Sequence, residues 1–109
     1  MNDDILTELA SLAQERQNES PANSYIADLL QGDENLLLKK IIEEAGETAL
    51  AAKGKDPDKL KEEMADLWFH CIVAMTRYGI SIDDVLDVLR KRRGMSGIEE
   101  KNSRKKHTD

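Results

Sequence analysis

The sequence predicts an all-α fold of four to five helices, and three observations lead to that prediction. Apolar residues recur every three or four positions through most of the chain, which is the spacing of one helix face. Helix start and stop signals divide the chain into segments of helical length. No segment carries the signals of a β-strand. With 109 residues, the chain has the size of one such domain.

The first two helices are separated by a polar loop. The first is predicted over about residues 3–16 from apolar residues at helical spacing: Ile5, Leu6, Leu9, Leu12 and Ala13. The segment QNESPANS contains a proline and is typical of a loop. A short helix from Tyr25 to Gln31 then ends at Gly32.

Two long helices follow, joined by a short turn. Asp33 is placed to cap the first of them, and Gly54 stops it. Asp56 precedes Pro57, which combines a capping carboxylate with a proline at the first helical position and opens a helix to about Tyr78. Because the turn between them is short, we expect the two helices to pack as an antiparallel hairpin.

The last predicted helix opens at Ser81, where Asp84 three residues on resembles a capping box, and it ends near Arg92. Glycines and a polar, basic tail follow. We therefore predict a single domain over residues 1–93 and a C-terminal segment over residues 94–109, which contains glycines that would permit it to close over a site.

Composition counts against several classes of protein. The formal net charge of -6 disfavours a general nucleic-acid or anionic-membrane binder. No segment approaches the roughly 20 apolar residues needed to span a bilayer, and the start lacks the basic and apolar regions of a signal peptide. Cys71 is the single cysteine, so no disulfide framework is expected. We expect a cytoplasmic protein with no membrane partner and no specific nucleic-acid partner.

Acidic residues border the apolar arcs of the two long helices. On a helical wheel, Glu44 and Glu47 lie at one edge of the first arc, and Glu63 and Asp66 lie at one edge of the second. Each pair is spaced i, i+3, so its carboxylates point the same way, about 4.5 Å apart along the axis. The apolar arcs themselves comprise Leu37, Leu38, Ile41, Ile42, Ala45 and Ala49 on the first helix, and Leu60, Met64, Leu67, Trp68, Cys71, Ala74 and Met75 on the second.

The hairpin geometry brings these acidic pairs together. Residues whose numbers sum to about 110 lie at the same height, and three pairs then face each other: Glu47 with Glu63, Glu44 with Asp66, and Lys40 with His70. Two charges about 5 Å apart repel by about 3 kcal/mol at an effective dielectric constant of about 20. A divalent cation would remove that penalty, and oxygen ligands suit Mg²⁺, with Mn²⁺ as a substitute, better than Zn²⁺.

The acidic pattern belongs to a series of sequence blocks. Residues 43–47 and 63–66 read EExxE and ExxD, and the other blocks are SYIADLL, LKKIIEEAGETALAAK, EEMADLWFHCIVAM and GMSGIEEKNSR. In this order, over about residues 23–104, they resemble the phosphoribosyl-ATP pyrophosphatase family of the MazG-like all-α nucleoside triphosphate pyrophosphohydrolases. Arg93 departs from the acidic or neutral residue expected there. The length suits the free-standing form of that enzyme.

The resemblance implies a MazG-like helical bundle that forms a homodimer, with helices of both subunits around the site. It implies Mg²⁺-assisted attack of water on phosphoribosyl-ATP, giving phosphoribosyl-AMP and pyrophosphate in the second step of histidine biosynthesis. Carried over position by position, the metal ligands are Glu44, Glu47, Glu63 and Asp66. Glu43 or Glu47 would act catalytically by taking the proton of the water.

Further residues are expected to contact the substrate: Lys40, His70, Lys101 and Arg104. The last two are included because the C-terminal block covers them. Lys40 has an alternative role as a partner for a glutamate of its own helix. His70 is alternatively a satisfied histidine at the edge of the groove. Tyr25 is suited either to stack on adenine or ribose, or to pack at the edge of the core.

Two other functions remain open. A MazG-like house-cleaning pyrophosphohydrolase would act on nucleoside or deoxynucleoside triphosphates without needing a phosphoribosyl group. A non-catalytic helical interaction domain would use only its apolar faces and would show no metal affinity at the acidic groove.

Overall fold

A computed structural model describes residues 4–93 of the chain, which form five α-helices and, within that range, no strand. The all-α prediction is therefore confirmed. In chain order the helices are α1 (Ile5–Arg16), α2 (Tyr25–Gln31), α3 (Glu34–Lys53), α4 (Pro57–Arg77) and α5 (Ile82–Arg92). The predicted C-terminal segment, 94–109, lies outside the described residues. None of the five helices is long and apolar enough to cross a membrane.

Side-chain caps explain why the starts of four helices could be predicted. Each cap accepts a hydrogen bond from a backbone N–H that the first turn leaves without a partner. The capping residues are Ser24, Asp33, Asp56 and Ser81. The predicted capping box is present, because the N–H of Asp84 donates to Ser81 Oγ at 3.1 Å and the N–H of Ser81 donates to Asp84 Oδ2 at 2.9 Å.

Helices α3 and α4 both end with a backbone hydrogen bond to the carbonyl five residues earlier, donated by the residue after one with a positive φ. At the end of α3 the N–H of Asp56 donates to Ala51 O at 3.3 Å. At the end of α4, Gly79 has φ 72° and the N–H of Ile80 donates to Met75 O at 2.8 Å. At the end of α3 the left-handed residue is Lys55, with φ 59°, and Gly54 keeps a right-handed conformation. Glycine is the usual residue at this position. The helix still ends at Lys53, as predicted, but its left-handed residue is the one after Gly54.

The core lies where one side of the α3–α4 hairpin meets α2. Its fully buried centre comprises Leu29, Leu37 and Val73, with Ile26, Leu30, Ile41, Phe69 and Ala74 packed around it. Arg77 Nη1 donates to the backbone carbonyl of Leu29 at 2.8 Å, so the end of α4 is also tied to α2 by a hydrogen bond.

The apolar arcs predicted for α3 and α4 are buried only in part. Leu37 is fully buried, whereas Ile42 keeps 73% of its surface exposed. On α4, Val73 is buried and Trp68 is 55% exposed. The position of α2 explains the burial of Leu37 and Val73, which pack with its residues in the core. Trp68 lies on another face of α4, where it lines an apolar cleft with Leu6 of α1 and Leu89 of α5.

Candidate metal centre

Three carboxylates converge across the α3–α4 hairpin. Glu44 on α3 and both Glu63 and Asp66 on α4 each offer one oxygen, and these three oxygens lie within 4.8 Å of one another. The i, i+3 spacing places Glu63 and Asp66 on the same side of α4, and the antiparallel packing brings Glu44 opposite them. The predicted approach of Glu44 and Asp66 is thus found in the structure.

Two oxygens in this group are buried without a hydrogen bond. They are Oε2 of Glu44 and Oε2 of Glu63, neither of which has a partner among residues 4–93. Buried carboxylate oxygens are normally paired, because leaving them unsatisfied is costly. Asp66, in contrast, is exposed. Three carboxylates, two with a buried oxygen that has no hydrogen bond and one that faces solvent, fit a hard divalent cation that keeps some of its waters.

The crowding of carboxylates in this group raises the pKa of Glu63. A hydrogen bond with Glu47, loss of hydration and the negative charges of Glu47 and Glu44 together raise the pKa of Glu63 from 4.5 to about 7. Without a cation, Glu63 therefore keeps its proton to a higher pH than an isolated glutamate does. The same interaction shows that Glu47, which is exposed, lies beside Glu63 as predicted.

Glu43 contacts lysines of its own helix. Its Oε1 lies 3.8 Å from Lys39 Nζ, and its Oε2 lies 3.9 Å from Lys40 Nζ. Both distances are long and the side chains are partly exposed, so each pair contributes little to stability. The alternative role foreseen for Lys40, a local ion pair, is thus present in the structure, and Glu43 stands outside the close carboxylate group.

His70 is the one polar residue that is buried among residues 4–93, with 6% of its surface exposed. Its Nδ1 lies 2.8 Å from the backbone oxygen of Asp66, and its Nε2 lies 2.9 Å from the Tyr25 hydroxyl. Because a carbonyl oxygen only accepts, Nδ1 carries a proton, and in that tautomer Nε2 accepts from the Tyr25 hydroxyl. With both ring nitrogens engaged, contact between His70 and a substrate stays a prediction.

Tyr25 connects this histidine to α2. It is the first residue after the cap Ser24, and its ring is half exposed. Burial is the main cause of its raised pKa; Lys40 opposes the rise, and the charges of Glu44, Asp28 and Asp66 add to it. The hydroxyl therefore stays protonated at neutral pH. Sequence reasoning did not connect Tyr25 with His70, because 45 residues separate them.

Two predicted substrate contacts, Lys101 and Arg104, lie outside the described residues. The structure describes the other predicted site residues, Lys40, Glu43, Glu44, Glu47, Glu63, Asp66 and His70.

Comparison with known proteins gives a consistent result. Residues 6–93 match the family model described as Phosphoribosyl-ATP pyrophosphohydrolase. Three similar relatives are each named Phosphoribosyl-ATP pyrophosphatase. The protein of Methylococcus capsulatus is 51% identical over 102 residues, covering 94% of this chain and 97% of the relative. That of Nitrosomonas eutropha is 48% identical, covering 92% and 86%. That of Neisseria gonorrhoeae is 44% identical, covering 95% and 97%.

Proposed function

Because the chain belongs to the phosphoribosyl-ATP pyrophosphohydrolase family, we propose that it hydrolyses phosphoribosyl-ATP to phosphoribosyl-AMP and pyrophosphate, a step of histidine biosynthesis. The structural observation that carries the proposal is the group formed by Glu44, Glu63 and Asp66, whose oxygens lie within 4.8 Å of one another. The cytoplasm, where we place the enzyme, is part of the same proposal.

The metal ligands in this proposal are Glu44, Glu63 and Asp66, with Glu47 beside them, and the metal is Mg²⁺ or, as a substitute, Mn²⁺. When bound, Mg²⁺ supplies positive charge that offsets the negative charge of a triphosphate chain. The unpartnered oxygens of Glu44 and Glu63 anchor the buried side of the site. Asp66 is exposed and leaves the other side open to the substrate.

Of the two carboxylates expected to take a proton from the attacking water, Glu47 is the better placed. It is exposed and lies beside Glu63. Glu43 lies outside the close carboxylate group and faces Lys39 and Lys40 of its own helix. We therefore assign proton transfer to Glu47 and an indirect role to Glu43, which holds the Lys40 ammonium near the site.

Substrate contacts complete the proposal. The Lys40 ammonium is held only weakly by Glu43 and is free to turn towards a phosphate group. Lys101 and Arg104 are proposed to bind phosphate groups of phosphoribosyl-ATP when residues 94–109 close over the site. A direct contact from His70 would require it to exchange its hydrogen bond with Tyr25 for one with the substrate.

We also propose that the protein forms a homodimer through exposed apolar residues of the hairpin. Ile42, Leu50 and Trp68 are each more than half exposed, and a second copy packed on α3 and α4 would bury them. Sedimentation equilibrium should therefore give a dimer that Ile42→Lys dissociates. Ile5→Lys makes the same change at an exposed isoleucine on α1 and serves as the control. A monomeric wild-type protein at micromolar concentration would contradict the dimer.

The activity is tested by pyrophosphate release from phosphoribosyl-ATP, with Mg²⁺ and with EDTA, beside ATP and deoxynucleoside triphosphate controls. We expect rapid release only from phosphoribosyl-ATP with Mg²⁺. Release from deoxynucleoside triphosphates instead would support the proposed metal site but contradict the proposed substrate, and it would identify a house-cleaning pyrophosphohydrolase. A folded protein inactive on every substrate would favour an interaction domain.

A further inference from the structure

We propose that Tyr25 and His70 are positioning residues for the metal centre: together they hold the turn of α4 that carries Asp66 against the start of α2. The inference rests on the proposed function, because it takes Asp66 as a metal ligand. In this proposal His70 acts on the metal centre by holding Asp66 in place, and Tyr25 acts by holding His70.

The first step is the contact between His70 and Asp66. The His70 Nδ1–H donates to the backbone oxygen of Asp66 at 2.8 Å. The ring is therefore attached to the residue whose carboxylate oxygen lies within 4.8 Å of those of Glu44 and Glu63. A rotation of the imidazole would break this bond or shift the turn that presents the Asp66 carboxylate.

The second step is the contact that prevents such a rotation. The Tyr25 hydroxyl donates to Nε2 at 2.9 Å and engages the nitrogen opposite the one that contacts Asp66. Phe69 packs edge-on against the His70 ring, with centroids 5.1 Å apart, and lies parallel to the Tyr25 ring at 6.5 Å. A buried polar ring whose two nitrogens are both satisfied has one favourable orientation.

The third step is the connection to a separate helix. Tyr25 opens α2, and Ser24 fixes that start by accepting a hydrogen bond from the Ala27 N–H at 3.1 Å. The hydroxyl therefore comes from a rigid position. Hydrogen-bonded residues behind metal ligands are known to contribute to metal affinity by fixing ligand orientation. Tyr25 and His70 have this arrangement relative to Asp66.

The test compares Tyr25→Phe with Tyr78→Phe in the full-length protein. Both changes remove one hydroxyl that joins two parts of the fold, since the Tyr78 hydroxyl donates to Glu34 Oε2 at 2.6 Å. Tyr78 follows Asp66 by 12 residues, which is roughly 18 Å along a helix. Mn²⁺ binding is measured by isothermal titration calorimetry, and thermal unfolding is followed by circular dichroism. Tyr25→Phe should raise the Mn²⁺ Kd about tenfold, and Tyr78→Phe should leave it unchanged.

A second pair of variants tests His70 itself. The amide oxygen of Gln can replace Nε2 as the acceptor for Tyr25, whereas Leu offers no acceptor. His70→Gln should therefore retain more Mn²⁺ affinity than His70→Leu. The difference in Mn²⁺ affinity should disappear when each His70 variant also carries Tyr25→Phe, because the Gln amide oxygen then has no hydroxyl to accept from.

The outcomes separate this inference from the proposed function. A wild-type protein that binds no Mn²⁺ overturns the metal assignment and this inference with it. If the wild-type protein binds Mn²⁺ and a folded Tyr25→Phe variant has a Kd within twofold of the wild-type Kd, only the positioning role is overturned. An equal loss of affinity in Tyr78→Phe also overturns it, since the effect would then come from general loosening of the fold.

Discussion

The α3–α4 hairpin has two halves that differ in what they bury. In the base half, residues 34–42 and 68–77, α2 covers one side, and Leu37, His70, Ile72 and Val73 are buried. In the tip half, residues 43–53 and 57–67, Ala51 is the buried residue. The tip half instead carries all four carboxylates predicted to bind metal. The base half thus buries most of the hairpin's core, while the tip half holds the carboxylates to which we assign the chemistry.

This difference has a physical reason. A core of aliphatic side chains lowers the free energy of the folded state by removing apolar surface from water. Carboxylates held close together raise that free energy by mutual repulsion. At Glu63 the hydrogen bond with Glu47, lost hydration and this repulsion together raise the pKa. The tip half can hold these carboxylates because the base half already fixes the hairpin, and because its two helices are joined by a short turn.

The largest expected effect is on catalysis and comes from the tip half. Glu44→Gln or Asp66→Asn should reduce kcat/KM by at least about a hundredfold, because each removes a proposed metal ligand. The metal-free variants should melt no lower than the wild-type protein, since one repelling charge is gone. Glu62→Gln neutralises an exposed neighbour outside the close group and is the control. Normal turnover in Glu44→Gln or Asp66→Asn would contradict the ligand assignment.

The next largest effect is on stability and comes from the base half. Leu37 is fully buried, so Leu37→Ala should lower the free energy of unfolding by about 3 kcal/mol through lost contacts and a residual cavity. Urea denaturation measures this value. The adjacent Leu36 is 36% exposed, and Leu36→Ala should cost clearly less. Equal costs at the two positions would mean that the base half does not provide the stability.

The pH dependence of stability should come from the tip half. The folded state binds the Glu63 proton more tightly than the unfolded chain does, because its pKa rises from 4.5 to about 7 on folding. This contribution is complete below about pH 4.5 and is lost as the pH rises through about 7. In EDTA, the thermal midpoint should therefore fall across this range.

The contribution of Glu63 is isolated by comparing the wild-type protein with Glu63→Gln, which should lose that part of the decline. Saturating Mg²⁺ should oppose the decline in the wild-type protein, because the cation binds the deprotonated carboxylates. A decline of equal size in Glu63→Gln would place its origin elsewhere in the chain.

The smallest effects are expected at the two ends of the hairpin. Lys55 adopts a left-handed conformation at the tip, so Lys55→Gly should stabilise the protein by about 0.5 kcal/mol after the entropy cost of glycine is subtracted. At the base, Gly79 already occupies the equivalent position, and Gly79→Ala should destabilise by about 1 kcal/mol. Thermal unfolding measures both, and changes of the same sign would contradict this interpretation.

The sequence by itself determined the helices and the carboxylate group, because both depend on short-range geometry. Caps such as Asp56 act on the backbone within three residues, so helix starts can be predicted without the fold. The approach of Glu44 to Asp66 follows from the helical repeat and a short turn, which leave one antiparallel register.

Only the tertiary structure decided which apolar residues are buried and which partner His70 finds. Leu37 and Ile42 belong to the same predicted arc, yet the position of α2 buries one and leaves the other 73% exposed. The hydrogen bond from Tyr25 to His70 joins residues 45 positions apart, and no periodicity of a single helix contains it. Such contacts depend on how whole helices pack, so they become visible only when the chain is folded.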